Sequence, residues 1–94
     1  MDDDTKEILR ILQEECAEVI VAISKCHRFG PDQCKPGFDQ TNIKHLEEEL
    51  GDVQAMVELL VKKRVGVTNN GISDAKKLKF EKLKKYSTIN LNNK

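Results

Sequence analysis

Apolar residues recur at three- and four-residue spacing early in the chain: Ile8, Leu12, Cys16, Val19, Ile20 and Ile23. That spacing predicts an amphipathic helix over about 5–28. Asp4, followed three residues later by Glu7, resembles a capping box with Asp4 as N-cap. Gly30–Pro31 gives the stop, and 29–40, with two Gly and both Pro, reads as a loop. Thr41 is the N-cap expected for a second helix, striped by Leu46, Leu50, Val53, Val57 and Leu60 and ended by Arg64–Val65–Gly66. Asn69–Gly71 reads as a turn, and Ser73 as the cap of a shorter third helix reaching about Tyr86, with Ala75, Leu78 and Leu83 inward. The polar tail STINLNNK, 87–94, reads as flexible. No β-type alternation and no solenoid repeat occurs. The expectation is one all-α domain over 1–94, with two long antiparallel helices and a shorter third.

Composition narrows this picture. A chain of 94 residues with 38% hydrophobic residues and no Trp buries only a modest core alone, so self-association is expected. Ile8, Leu9, Ile11 and Leu12 together span more of the helix surface than one partner helix covers, and Met56, Val57, Leu59, Leu60 and Val61 do the same on the second helix. Sixteen basic residues balance sixteen acidic ones. That balance argues against a general nucleic-acid or anionic-membrane binder. No apolar run approaches the ~20 residues needed to cross a bilayer. The start, MDDDTKEIL, lacks the layout of a secretory signal. Cys16, Cys26 and Cys34 are odd in number and form no CxxC pair, which fits a reducing cytoplasm.

The charges that change the reading are two acidic clusters. A helix turns about 100° per residue. With Glu14 at zero, Glu15 falls near 100° and Glu18 near 40°. Glu48, Glu49 and Asp52 repeat this arithmetic on the second helix. Each helix so carries a compact carboxylate patch beside its apolar stripe. A single EExxE is usually a solvated face, and Lys44 with Glu48 is an ordinary exposed pair. Two matched patches are harder to dismiss, because like charges at this spacing destabilise a helix. The first patch has no nearby positive residue before Lys25. Gly51 adds a helix-weakening residue, which suggests close approach by another element. Helices packed antiparallel would let four to six carboxylates converge. Such a group demands divalent cations, with hard oxygen ligands selecting Mg²⁺, Mn²⁺ or Ca²⁺. A di-iron bundle needs Glu-x-x-His, and neither His27 nor His45 has Glu three residues before it. DDDTKE lacks the glycine of a calcium EF-hand loop. Cys26, His27 and Cys34 match no usual zinc spacing, and Cys16 reads as a small core residue.

EECAE at 14–18 and ELGD at 49–52, within LQEECAEVIVAISKCHRFG and LEEELGDVQAMVELL, resemble the all-α nucleoside triphosphate pyrophosphohydrolase superfamily. That group includes MazG-like proteins, dimeric dUTPases, dCTP pyrophosphatases and phosphoribosyl-ATP pyrophosphohydrolase. KLKFEKLKKY adds to the likeness, which covers about 5–86. The spacer between the clusters lies near or slightly past the upper end for the family. The resemblance implies a Mg²⁺-dependent hydrolysis of (d)NTP to monophosphate and pyrophosphate, with Mn²⁺ as a substitute. It implies Glu15, Glu18, Glu49 and Asp52 as metal ligands and Glu14 as general base, and assigns Glu48 no role. Lys25, two turns past Glu18, and Lys76, Lys79 and Lys82 on the third helix are candidates to grip phosphates, although each is by default a surface charge. Asn42 is either a sugar or base contact or a secondary cap, and His45, one turn before Glu49, a structural or ligand-supporting residue. Phe29, Phe38, Phe80 and Tyr86 are the only aromatics; packing is their default role and base stacking the alternative. The resemblance also implies a four-helix-bundle dimer or dimer of dimers, with the site beside the interface. The rival from another class is a non-catalytic helical interaction module with acidic surfaces.

Overall fold

The computed structural model describes residues 1–92. These hold three helices and no strand: α1 (Asp3–Phe29), α2 (Asn42–Lys62) and α3 (Asn69–Tyr86). An isolated bridge between Cys34 and Thr41 closes the first connection. The expected tail over 87–94 falls partly outside the described residues. Its first part is tied locally by Ser87 Oγ donating to the Leu83 carbonyl at 2.8 Å.

The caps explain the boundaries. Asp2, not Asp4, caps α1: its carboxylate accepts the Thr5 N–H at 2.7 Å. Asp3 and Asp4 then lie in the first turn, where the helix dipole favours negative charge. Gly30, at φ 95°, ends α1 in a conformation an L side chain resists, with its N–H on the Cys26 carbonyl. Thr41 caps α2 as expected, accepting the Lys44 N–H at 3.2 Å. Thr68, not Ser73, caps α3, accepting the Gly71 N–H at 2.9 Å. Asn69–Gly71 is therefore the first turn of α3 rather than a separate turn.

α1 and α2 form an antiparallel hairpin. Asp2 pairs with Lys63 at 2.9 Å at one end, and Asn42 Nδ2 donates to the Gly30 carbonyl at 2.9 Å at the other. Between them, one row of covered positions on α1 is Thr5, Ile8, Leu12, Glu15, Val19 and Ala22, with Leu9 and Ile11 half-buried beside it. On α2 the like row is Asn42, His45, Glu49, Val53, Met56 and Leu60, with Leu46, Val57 and Val61 half-buried beside it. Both sets run at three-and-four spacing, the period of a helix–helix seam. Only Ala22 and Leu60 are buried hydrophobics among the described residues. The stripe read from α1 is displaced from this seam: Cys16, Ile20 and Ile23 are exposed, Ile20 at 68%. The apolar residues of α1 thus occupy two faces, and α2 covers one.

α3 leaves the hairpin, and near its start Ile72 lines a shallow pocket with Val57 and Val61 of α2. It has no buried residue, and Leu78, expected inward, is 63% exposed. The shape is open, with a radius of gyration of 16.3 Å against about 12 Å for a compact chain of this length. No helix among the described residues is long and apolar enough to cross a membrane.

Candidate metal centre

Two seam positions carry carboxylates instead of apolar side chains. Glu15 comes from the middle of α1 and Glu49 from the first half of α2. Asp52, one turn beyond Glu49 and exposed, joins them. Ligand oxygens of Glu15, Glu49 and Asp52 all lie within 4.8 Å of one another. Seam burial, then the carboxylates of Asp52, Glu49 and Glu18, push the Glu15 carboxyl above its ordinary range.

Among the described residues no Lys or Arg pairs with these three carboxylates. Glu15 and Asp52 bond to each other, and their partner from outside the three is His45, whose Nε2 lies 3.0 Å from Glu49 Oε1. Three oxygen ligands from three side chains, with their charge unopposed, suit a hard divalent cation.

The converging set is smaller than the four to six carboxylates expected. Glu18 is exposed and lies outside the 4.8 Å group, yet stands close enough to act on Glu15 electrostatically. Glu14 is exposed and faces Arg10, with Oε1 3.3 Å from Nη1. The sequence reading found no cation near the first cluster before Lys25. It overlooked Arg10, one turn back, which also reaches Glu7 at 3.3 Å. Lys44 pairs with Glu47 at 2.6 Å rather than with Glu48. Gly51 meets no close neighbour within the chain: a Cβ there would touch nothing within 4 Å.

Two substrate candidates meet elsewhere. Lys25 and Asn42 line a cavity of about 580 Å³ at the loop end of the hairpin, with Phe29, Gln33, Cys34, Lys35 and Pro36. Phe29 is 58% exposed, with the Arg28 guanidinium 4.9 Å from its ring centroid. Seven residues separate Asn42 from Glu49, so the cavity opens about 10 Å along the same helix face from the carboxylates. Lys76, Lys79 and Lys82 ride on α3, away from the cluster of their own chain.

Residues 4–86 match the family model of the MazG nucleotide pyrophosphohydrolase domain. The chain belongs to this family. No curated protein and no solved structure matches it. The matched span takes in all of the acidic centre and the cavity of this MazG domain. Of the features around them, the loop wall formed by Gln33, Cys34, Lys35 and Pro36 was missed in the sequence. A loop fixed by backbone bonds carries no periodic signal.

Proposed function

We infer that this MazG-family chain is a Mg²⁺-dependent hydrolase converting a nucleoside or deoxynucleoside triphosphate to its monophosphate and pyrophosphate. The observation that carries this reading is the unopposed convergence of Glu15, Glu49 and Asp52 within the family-matched span. Those three would hold the cation, with Glu18 turning in as the fourth ligand. A bound divalent cation would neutralise the phosphates and stabilise charge building on them.

The chain's own side chains supply the rest. Water adds across the anhydride between the α- and β-phosphates, that bond breaks, and the proton of the water goes to Glu14. The Arg10 pair holding Glu14 is exposed, so it restrains the carboxylate only weakly. The cavity beside Lys25 and Asn42 would take the base or sugar, with Phe29 as a stacking surface. Lys25 would meet the phosphates from the cavity side.

A second copy completes the proposal. α3 carries six Lys against two acidic residues, whereas α1 and α2 together carry eleven acidic against six basic ones. Exposed Ile43 and Leu50 line a groove on α2 with Leu46, Gly51 and Gln54. A partner's helices would cover that groove, giving Gly51 the close approach it lacks within the chain. Lys76, Lys79 and Lys82 would then serve the partner's phosphates. The three free thiols suit a reducing, cytoplasmic setting.

Substitution tests the assignment. Glu18→Gln and Asp52→Asn are each expected to abolish turnover and weaken Mn²⁺ binding in calorimetry, with helical circular dichroism unchanged. Glu14→Gln should lose about 10²–10⁴-fold in rate and still bind metal. Wild-type activity in Asp52→Asn would remove the metal-site reading, and loss of metal in Glu14→Gln would make Glu14 a ligand.

A further inference from the structure

We propose that His45 is a positioning residue for the metal centre: it anchors Glu49 so that one oxygen of that carboxylate is committed to the imidazole and the other is presented to the cation. The inference rests on the metal-centre reading above. A carboxylate only accepts, so His45 Nε2 carries the proton and donates it to Glu49 Oε1 over 3.0 Å. An exposed His–Glu pair one turn apart on a helix is worth little. This pair is not of that kind. The side chain of Glu49 is 15% exposed and that of His45 30%, and both stand on the α2 face turned to α1.

Among the described residues, His45 is the one side chain outside the converging set that bonds to it. Glu15 and Asp52 bond to one another within the cluster. Glu49 alone is held by a group outside the repelling set. A ligand fixed before the cation arrives lowers the ordering cost of binding, which is how groups behind a ligand raise metal affinity. The spacing makes the arrangement possible: His45 lies one turn before Glu49, and Asn42, one turn earlier again, is locked into the loop by its bond to Gly30. His45 therefore springs from a turn of α2 that is bonded to the loop.

The test compares wild type, His45→Ala and His45→Gln at one fixed pH, reading Mn²⁺ affinity by calorimetry, then KM and kcat at saturating Mg²⁺. His45→Ala should weaken Mn²⁺ binding about 10–100-fold while KM for the nucleotide holds and saturating Mg²⁺ restores most of kcat. His45→Gln, which keeps an N–H at similar reach, should recover most of the affinity. Pulsed electron paramagnetic resonance of the Mn²⁺ form should show no imidazole nitrogen coupled to the metal. Unchanged Mn²⁺ affinity in His45→Ala, beside a wild type that binds normally, would overturn this proposal and leave the metal centre standing. A raised KM with unchanged affinity would make His45 a substrate contact, and nitrogen coupling would make it a ligand; either result overturns the positioning role. A wild type that binds no Mn²⁺ would overturn both readings.

Discussion

Glu15 is the residue on which sequence and structure pull hardest against each other. Its position in the seam calls for an apolar side chain; its neighbours are Asp52, Glu49 and Glu18. Such a group keeps its proton more readily in the folded chain than in the unfolded one, so ionising it opposes folding. The stability it contributes in metal-free protein is full below its unfolded pKa and is lost as pH rises through the raised folded value. Glu15→Gln should therefore raise the melting temperature of metal-free protein at neutral pH, with the gain shrinking toward acid. The same change should remove the stabilisation by Mn²⁺, which a ligand at 100 times its dissociation constant sets at about 2.7 kcal/mol. Thermal melts with and without Mn²⁺, repeated across pH, would check both; a less stable metal-free variant at neutral pH would contradict the charge-repulsion account. The two acidic stretches, read at helical spacing, gather six carboxylates, and the family resemblance then marks Glu15, Glu18, Glu49 and Asp52 as ligands. They leave open which carboxylates meet, since the angle of each residue on its own helix does not fix the rotation of the two helices against each other. That rotation puts Glu15 in the seam and leaves Glu18 exposed.

At the scale of elements, the existence and order of the helices were legible because caps and apolar periods agree. The misplaced starts have physical causes. Asp2, Asp3 and Asp4 can each cap a helix; Asp2 takes the Thr5 N–H and also pairs with Lys63, a partner far away in sequence. The Thr5 side chain and N–H, and after them Lys63, hold the Asp2 carboxyl well below the usual carboxylate range. Asn69–Gly71 looks like a turn, but glycine is tolerated in a first helical turn when its N–H meets a cap such as Thr68. The loop before α2 shows no period, yet its junction with α2 is tied. Asn42 N–H reaches the Gln33 carbonyl and Ile43 N–H the Pro31 carbonyl, both at 2.9 Å. Asn42, buried at 8% exposure, adds its side chain to this lock. Asn42→Ala should cost about 1–3 kcal/mol in chemical denaturation, because the Gly30 carbonyl loses its donor. Unchanged stability with a raised KM would instead give Asn42 wholly to the substrate.

At the scale of the molecule, the chain exposes 7728 Å², against about 5,500 Å² for a compact monomer of 10.7 kDa. The excess matches what a stable dimer of such chains would begin to cover. The second apolar face of α1, the α2 groove and the unsupported basic α3 all point outward. We expect at least a dimer by light scattering, and an active monomer near 10.7 kDa would contradict completion of the site by a second copy. In the sequence, surplus apolar surface and the family resemblance raise the expectation of self-association; the identity of the covering partner is not written in periodicity. The chemistry itself is tested most directly by following a panel of NTPs and dNTPs with ³¹P NMR, in Mg²⁺ and in chelator. The expected result is monophosphate and pyrophosphate in equal amounts for at least one nucleotide, in Mg²⁺ alone. Orthophosphate as the primary product, equal turnover in chelator, or no turnover of any nucleotide would contradict it.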